Sequence, residues 1–488
     1  MNASLMILEI IVGIAALGLL LVDLWMPVSQ KKFLGYAAAA VLGIVLIYSF
    51  YAPQFSGLFN GQTQLFAFGN MYVLDPLALY FKRFFLVAAI IVLFMAVEFA
   101  DRIDTGISEF YALILFALLG MMYAASANDF VMVFVSLELI TVTFYVLTSY
   151  QRAKQASLEA GIKYLILGAL SSAVLVFGIA LVFGVSGTTS FPRILAQNQT
   201  LIGSPIFLLG SLMVLCGIAF KIAAFPFQSW APDVYQGSPG PVTAFLAVGS
   251  KAAGFVLLLR ILFGSLPDVV THWPHVLIII SGISILYGNL CAIPQRNLKR
   301  LLGYSSISNA GYILLGVAAL SREGDVAVLY YLLGYLFTVL GAFAVINRIT
   351  RGQENEDISL LAGLYQRSPL LALCLTLSMA SLVGVPSVAG FMGKFLLVMA
   401  AIQKGAGDPA YYILVFITIA GVGISAYYYF GVVRAIYFSK NATDLSPIPI
   451  SLPTRMIIYV CMAGMIYLGL FPQAFISLAS NAVKVLHG

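Results

Sequence analysis

Apolar runs of about twenty residues, each closed by a charge, a proline or a glycine, recur along this chain from one end to the other. A bilayer core takes about 20 residues of helix to cross. The runs predict spans at 4–24, 33–51, 77–97, 109–126, 129–149, 159–184, 205–229, 241–264, 275–293, 300–320, 326–347, 369–403, 410–438 and 455–480. Backbone polar groups find no water in lipid, so a span must bond within a helix or close into a barrel. The alternation that marks a membrane barrel is absent. The pattern therefore predicts an all-α polytopic membrane protein with about 14 transmembrane helices.

Two of these runs are interrupted. In GIAFKIAAFPFQSWAPDVYQGSPGPVTAFLAVGSKAAGF, from Gly217 to Phe255, Pro226 lacks an N–H and leaves the carbonyl of Ile222 unpaired, next to Lys221. The FQSWAPDVYQGSPGP that follows is too rich in Pro and Gly to continue the helix. The stretch ASLVGVPSVAGFMGK repeats the arrangement with Gly384, Pro386, Gly390, Gly393 and Lys394. Two discontinuous spans, five helices apart and each with its own lysine, point to an inverted-repeat transporter with sites near the midplane.

Composition agrees with this class, with 61% apolar and 9% charged residues among 488. The positive-inside rule sets an orientation. With the N-terminus outside, the inner loops collect Lys31, Lys32, Arg102, Arg152, Lys154, Arg296, Lys299, Arg300, Arg348, Arg351, Arg367, Arg434, Lys440 and Arg455. An even number of helices returns the C-terminus to the outer side as well. The first helix has no basic leader or evident cleavage site and reads as a retained span, not a signal peptide. The net charge of +6 follows from this topology and calls for no nucleic acid.

Several chemistries are excluded. Cys216, Cys291, Cys374 and Cys461 stand singly in apolar spans, without the spacing of a cluster, zinc site or dithiol pair. His272 and His275 fall in an outer loop and His487 in the tail, so no histidine is expected at membrane depth. No dinucleotide or P-loop pattern is found. The chain is expected to bind no cofactor and no metal.

Ionisable residues at membrane depth cost about 2.5–3.5 kcal/mol each on insertion scales, which makes them functional candidates. Glu138 lies near the centre of span 129–149 and Lys251 near the centre of 241–264. Lys221 precedes the first break and Lys394 follows the second. Lysines near an interface can simply snorkel to the headgroups, but mid-span stems fall short. Lys163 follows Glu159 by four residues, which is ion-pair spacing on a helix.

The runs FKIAAFPFQSWAPDVYQGSPGPVTAFLAVGSKAA, NLKRLLGYSSISNAGY and SLEAGIKYLILGALSSA resemble the antiporter-like membrane subunits of respiratory complex I, the bacterial NADH-quinone oxidoreductase. The Trp-x-Pro-Asp-x-Tyr-x-Gly-x-Pro pattern from Trp230 to Pro239 is the most distinctive part. The resemblance covers essentially the whole chain, which stops soon after its fourteenth helix. The chain is therefore expected to lack the long lateral helix that one of those subunits carries.

The resemblance implies two inverted five-helix repeats, at 106–264 (helices 4–8) and 265–440 (helices 9–13). They are preceded by helices 1–3 in 1–105 and followed by helix 14 in 441–488. It implies that Glu138 pairs with Lys221, that Lys251 continues a central axis and that Lys394 completes it. Lys163 would modulate the pair, and Lys299 would stand at the start of the tenth helix. Protons would pass through these residues, driven by quinone reduction elsewhere in the complex. NADH, FMN, iron–sulfur clusters and quinone would bind on partner subunits of the redox and membrane arms, in a bacterial inner membrane with both termini periplasmic.

Gln228 and Asn309 stand where relatives often place histidine, so water, Ser and Tyr must substitute. Ser250, Tyr304, Ser305, Ser306 and Ser308 are the polar candidates, although such hydroxyls often only bond a backbone carbonyl. Two other readings compete: a subunit of a multisubunit cation/proton antiporter, and a scaffold whose charges merely pin helices together.

Overall fold

The computed structural model describes residues 3–52, 55, 64–266, 274–353, 355–439 and 445–487. His272 and Lys440 lie outside the described residues. The described chain is helical apart from one short antiparallel hairpin, β1 (Leu65–Ala67) with β2 (Tyr72–Leu74), in register Leu65 to Leu74.

The helices are α1 (Ile7–Asp23), α2 (Lys32–Tyr51), α3 (Pro76–Phe99), α4 (Ile107–Ala125), α5 (Phe130–Thr148) and α6 (Gln155–Ser186). They continue as α7 (Pro205–Ile222), the short α8 (Trp230–Gly237), α9 (Gly240–Gly264) with a π-helical turn at Leu246–Ser250, α10 (Pro274–Ala292), α11 (Leu298–Ala318) and α12 (Arg322–Ile349). The last are α13 (Pro369–Val383), α14 (Ala389–Gly405), α15 (Ala410–Phe438), α16 (Leu452–Leu470) and α17 (Gln473–His487). Among the described residues thirteen helices are long and apolar enough to cross a membrane. The half-helices α13 and α14 together make one more crossing, in agreement with the fourteen expected.

Several starts are fixed by side-chain caps, which satisfy amides that the first turn leaves free. Asp75 accepts from the N–H of Ala78 (2.7 Å), Asp129 from Val131 (2.8 Å) and Asn297 from Arg300 (3.0 Å). Close packing follows from small residues, as in membrane helices generally. A Cβ on Gly178 of α6 would stand 2.7 Å from the carbonyl oxygen of Gly210 on α7.

Both interruptions are present. The helix α7 ends at Ile222, four residues before Pro226, with Ala223 in the left-handed region at φ 57°. Trp230 Nε1 donates to the carbonyl of Phe220 (3.0 Å) and Phe225 N–H to Ser284 Oγ (2.9 Å), so side chains take over where the ladder stops. The second break has Gly384 at φ 94°, a conformation that favours glycine.

One expected span needs correction. The run 455–480 is not one helix: α16 stops at Leu470 and α17 begins after Pro472, whose missing N–H ends the ladder. The amphipathic α17 turns back to pack on α12 and α3. His487 thus closes a docked helix and is not in a free tail. Its Nε2 lies 2.8 Å from Oδ2 of Asp325, which is fully buried in α12.

Burial within the chain singles out the axis. The most hydrophobic stretch of α9 is wholly buried, and those of α11 and α12 are 94% and 89% buried, against 22% for α6. A helix surrounded by protein can carry polar groups that lipid would not tolerate.

Candidate functional site

Lys221, Lys251, Lys299 and Lys394 are all buried, with 2–6% of their surface exposed. Lys394, in the second turn of α14, donates to the carbonyls of Leu382 (2.6 Å) and Val383 (3.1 Å) at the end of α13. Those carbonyls have lost their helical partners at the break and sit at the negative end of the half-helix. The break therefore builds the lysine's site. The Lys394 ammonium also lies 4.5 Å from the centre of the Tyr312 ring, a cation–π contact.

Lys221 occupies the last turn of α7 and donates to Thr141 Oγ1 of α5. The resemblance implies that Glu138 pairs with Lys221; in the structure the two side chains are close without touching. Glu138 lies one turn before Thr141 and accepts from Ser172 Oγ of α6 at 2.5 Å, with no ion-pair contact to Lys221. Thr141 meets Lys221 of α7, while Glu138, half-buried and one turn earlier on the same face of α5, bonds Ser172 of α6. The sequence reading placed Glu138 at the helix centre, but centrality does not report which way a side chain faces.

Lys251 donates to the carbonyl of Ser306 on α11 (2.6 Å) and to its hydroxyl. Among the described residues neither Lys251 nor Lys394 has a carboxylate within ion-pair distance. The Ser306 hydroxyl also bonds Tyr235 OH (2.9 Å), which sits in the linker helix α8. One residue away, Ser305 Oγ bonds Tyr429 OH of α15. The rings of Tyr429 and Tyr428 are 4.3 Å apart, Tyr428 OH donates to Asn289 Oδ1 (2.8 Å), and Asn289 Nδ2 donates to Tyr312 OH (3.0 Å). Tyr312 is the residue whose ring faces Lys394. Hydroxyls and amides thus line the interval between the two lysines, broken at Ser306/Ser305 and at Tyr429/Tyr428.

Asn309 belongs to the same group: its Nδ2 donates to the carbonyl of Ser305 (2.8 Å) and its Oδ1 accepts from Tyr331 OH (2.5 Å). Gln228 is buried and its Oε1 has no hydrogen-bond partner. Among the serines singled out from sequence, Ser308 only bonds the carbonyl of Ser305 (2.8 Å).

Lys163 and Lys299 stand apart, on the face that carries α8. Lys163 is 41% exposed, holds Glu159 at 2.6 Å, as its spacing predicts, and Asp233 at 2.8 Å. It is not brought to Glu138 or Lys221. Arg300 Nη1 grips the other oxygen of Asp233 at 2.5 Å, so one carboxylate joins α6, α8 and α11. Lys299 pairs with Glu356 (2.8 Å) and donates to the carbonyl of Ser238 (2.8 Å).

The sequence reading missed a second buried charge cluster, near the opposite membrane face. Lys82 Nζ lies 2.7 Å from Glu9 Oε1, both fully buried, with Tyr72 OH within hydrogen-bonding distance of each. Beside them Arg260 makes two bonds to Asp75, at 2.8 and 3.1 Å. Each lies within about two turns of a span's end, where sequence alone does not separate a buried charge from one that reaches the headgroups. Tyr428, Tyr429, Asn289 and Thr141 gave no sequence signal, being ordinary residues of apolar helices. Among the described residues no group of three or more His, Cys, Asp or Glu comes together to hold a metal.

Among the described residues, these crossings, two of them broken beside a buried lysine and flanking one polar axis, define a polytopic helical membrane protein of the antiporter-like class. The family model for "NADH:quinone oxidoreductase/Mrp antiporter, TM" matches residues 127–423. Relatives named NADH-quinone oxidoreductase subunit N from Moorella thermoacetica and Heliobacterium modesticaldum are each 39% identical. They align over 99% and 100% of this chain and over 98% and 100% of their own lengths. The chain belongs to this family, in its NADH-quinone oxidoreductase subunit N branch.

Among solved structures, a chain of respiratory complex I from Thermus thermophilus with bound aureothin is similar at TM-score 0.78 and 31% identity, over 97% of this chain and 99% of that one. A chain of the Mrp complex from Dietzia sp. DQ12-45-1b reaches TM-score 0.83 at 21% identity, over 100% and 98%, a likeness of fold.

Proposed function

We propose that this chain is a proton-translocating membrane-arm subunit of NADH-quinone oxidoreductase, a non-redox module of a translocase driven by quinone reduction on partner subunits. NADH, FMN, iron–sulfur clusters and quinone are assigned to those partners. The segments 106–264 and 265–440 are read as the two repeats, flanked by 1–105 and 441–488. The chain lies in a bacterial inner membrane with both termini periplasmic. The observation that carries the reading is the pair Lys251 and Lys394: buried ammonium groups without a carboxylate partner among the described residues, with hydroxyl and amide side chains lining the interval between them except at two gaps.

In this reading Lys221, Lys251 and Lys394 carry protons in turn, and Glu138 sets the field at Lys221 across Thr141 and Ser172. Lys163 and Lys299 act on the face of proton uptake. The energies are of the right size. An ion pair at about 4 Å and an effective dielectric near 20 is worth about 4 kcal/mol. Moving one charge against roughly 150–200 mV costs about 3.5–4.6 kcal/mol. A conformational or electrostatic signal that alters the Glu138–Lys221 distance can therefore load and release a proton against the gradient. Asn309 and the tyrosines take the place of the histidines found in relatives, with water filling the two gaps.

The test is NADH-driven proton uptake measured with NADH–quinone turnover, in inverted vesicles carrying wild-type or Lys221→Ala protein at matched assembly. Loss of both is expected, because proton movement and redox turnover are coupled. Full retention of both would sink the assignment of Lys221. The fold likeness to the Mrp chain supports a second reading, a cation/proton antiporter subunit. Co-purification with antiporter subunits and without redox subunits would favour it.

A further inference from the structure

Two neighbouring cations on α3 meet different fates. Lys82 points inward and finds Glu9 at 2.7 Å, whereas Arg83 points to the surface and has no carboxylate within ion-pair distance among the described residues. It lies about two helical turns inside the start of α3, next to Lys82 and near the membrane face at which α1 begins. Residues 53–63, which follow α2, contain no acidic side chain. A cation without a carboxylate beside it at the headgroup boundary attracts anionic headgroups.

Arg83 lines an apolar groove of about 520 Å³ bounded by α2, α3, α12, α16 and α17. Phe84, Phe337, Tyr467, Phe475 and Leu478 form much of its wall, and Arg83 is its one charged lining residue. The Arg83 side chain is held in place: Nε donates to Ser49 Oγ (3.2 Å), Nη2 donates to the carbonyl of Ser49 (2.5 Å), and the guanidinium stacks 3.9 Å from the Phe50 ring centre. None of its hydrogen bonds among the described residues uses Nη1. The groove therefore presents an ordered, unneutralised guanidinium edge above an apolar trough.

We propose that this groove is a binding site for one anionic phospholipid, on the side of the membrane where α1 begins. An acyl chain fills the trough, and the headgroup phosphodiester accepts from Arg83. Guanidinium matches phosphate in charge and in donor geometry. The lining offers no carboxylate to hold the ammonium of a zwitterionic headgroup, which selects the anionic class. The site lies away from the lysine axis, so the proposal stands independently of the transport reading.

The experiment uses the whole complex in nanodiscs containing a diazirine-chain phosphatidylglycerol or the matching phosphatidylcholine, with photo-labelled residues mapped by mass spectrometry. Both phosphodiesters can accept from Arg83, but only phosphatidylcholine also brings a trimethylammonium beside the guanidinium, so labelling of Phe337, Tyr467 and Phe475 is expected to be about tenfold stronger with phosphatidylglycerol, a difference of about 1.4 kcal/mol. Arg83→Gln should reduce it to the phosphatidylcholine level, and Ala463→Phe, which fills the trough, should abolish it. Equal labelling by both lipids in the wild type would overturn the proposal, leaving only annular lipid. So would labelling untouched by Arg83→Gln, or no labelling by either lipid, which would mean that a neighbouring subunit covers the groove. If the variants fail to assemble, the wild-type comparison of the two lipids decides.

Discussion

Lys82→Met and Lys251→Met each remove one buried ammonium, yet they should separate stability from transport. Lys82 Nζ lies 2.7 Å from Glu9 Oε1, and the other Glu9 oxygen already has no partner. Removing Lys82 strands a buried carboxylate, and breaking such a pair costs about 3–5 kcal/mol. That is a large share of the roughly 5–15 kcal/mol that holds a folded protein together. Neutralising both partners, in Glu9→Gln/Lys82→Met, should recover most of the loss. Lys251 has no carboxylate to strand. Its removal takes one donor from the carbonyl of Ser306, while the Ser306 hydroxyl keeps Tyr235 OH, a loss of at most about 1–3 kcal/mol, offset by no longer burying an ammonium. Assembled complex is quantified on native gels and by thermal melting, and NADH–quinone turnover is expressed per assembled complex. Lys82→Met should assemble poorly yet turn over normally per complex. Lys251→Met should assemble well and fail in coupled turnover. Equal assembly of the Lys82 single and double variants, or collapse of assembly in Lys251→Met, would refute the distinction.

Three other substitutions test particular contacts. Tyr429→Phe removes the hydroxyl that meets Ser305, and coupled turnover should fall about tenfold, less than the 10²–10⁴ of a positioned proton-transfer group because water offers a bypass; unchanged turnover would exclude Tyr429 from the route. Gly390→Ala would set a Cβ 1.8 Å from the carbonyl of Ser381, so melting should show a loss of about 1–3 kcal/mol or more, as overpacking gives, and unaltered melting would mean the half-helices adjust freely. Asp233→Asn weakens half-exposed pairs with Lys163 and Arg300 and should cost no more than about 1 kcal/mol in melting. A much larger loss would make this carboxylate a principal fastener of α6, α8 and α11.

The crossings and both breaks were legible because hydropathy and proline or glycine chemistry act locally along the chain. Pro472 escaped notice because apolar residues continue on both sides of it, and hydropathy alone cannot see the turn that sends α17 back across α12. The lysines were legible because charge at membrane depth is rare whatever surrounds it. Their partners were not: Tyr428 and Asn289 are 139 positions apart, and only the packing of α15 on α10 brings them together. Glu9, Lys82, Asp75 and Arg260 form one cluster from three helices and a hairpin end, and no stretch of sequence holds more than two of them closely spaced. Glu138 shows the converse limit. Its depth could be read from the span, but its facing toward Ser172 instead of Lys221 depends on how α5 is rotated against α6 and α7.

The central claim is that buried lysines here exchange protons, as distinct from merely holding charge. Lys251→Arg tests it most directly, because arginine keeps the positive charge and does not deprotonate in proteins. Proton uptake and NADH–quinone turnover should be compared for wild type, Lys251→Arg and Lys251→Met at matched assembly in inverted vesicles. The account predicts that arginine fails to restore either activity. Near wild-type pumping with arginine would show that fixed charge suffices at this position and would contradict a proton route through Lys251.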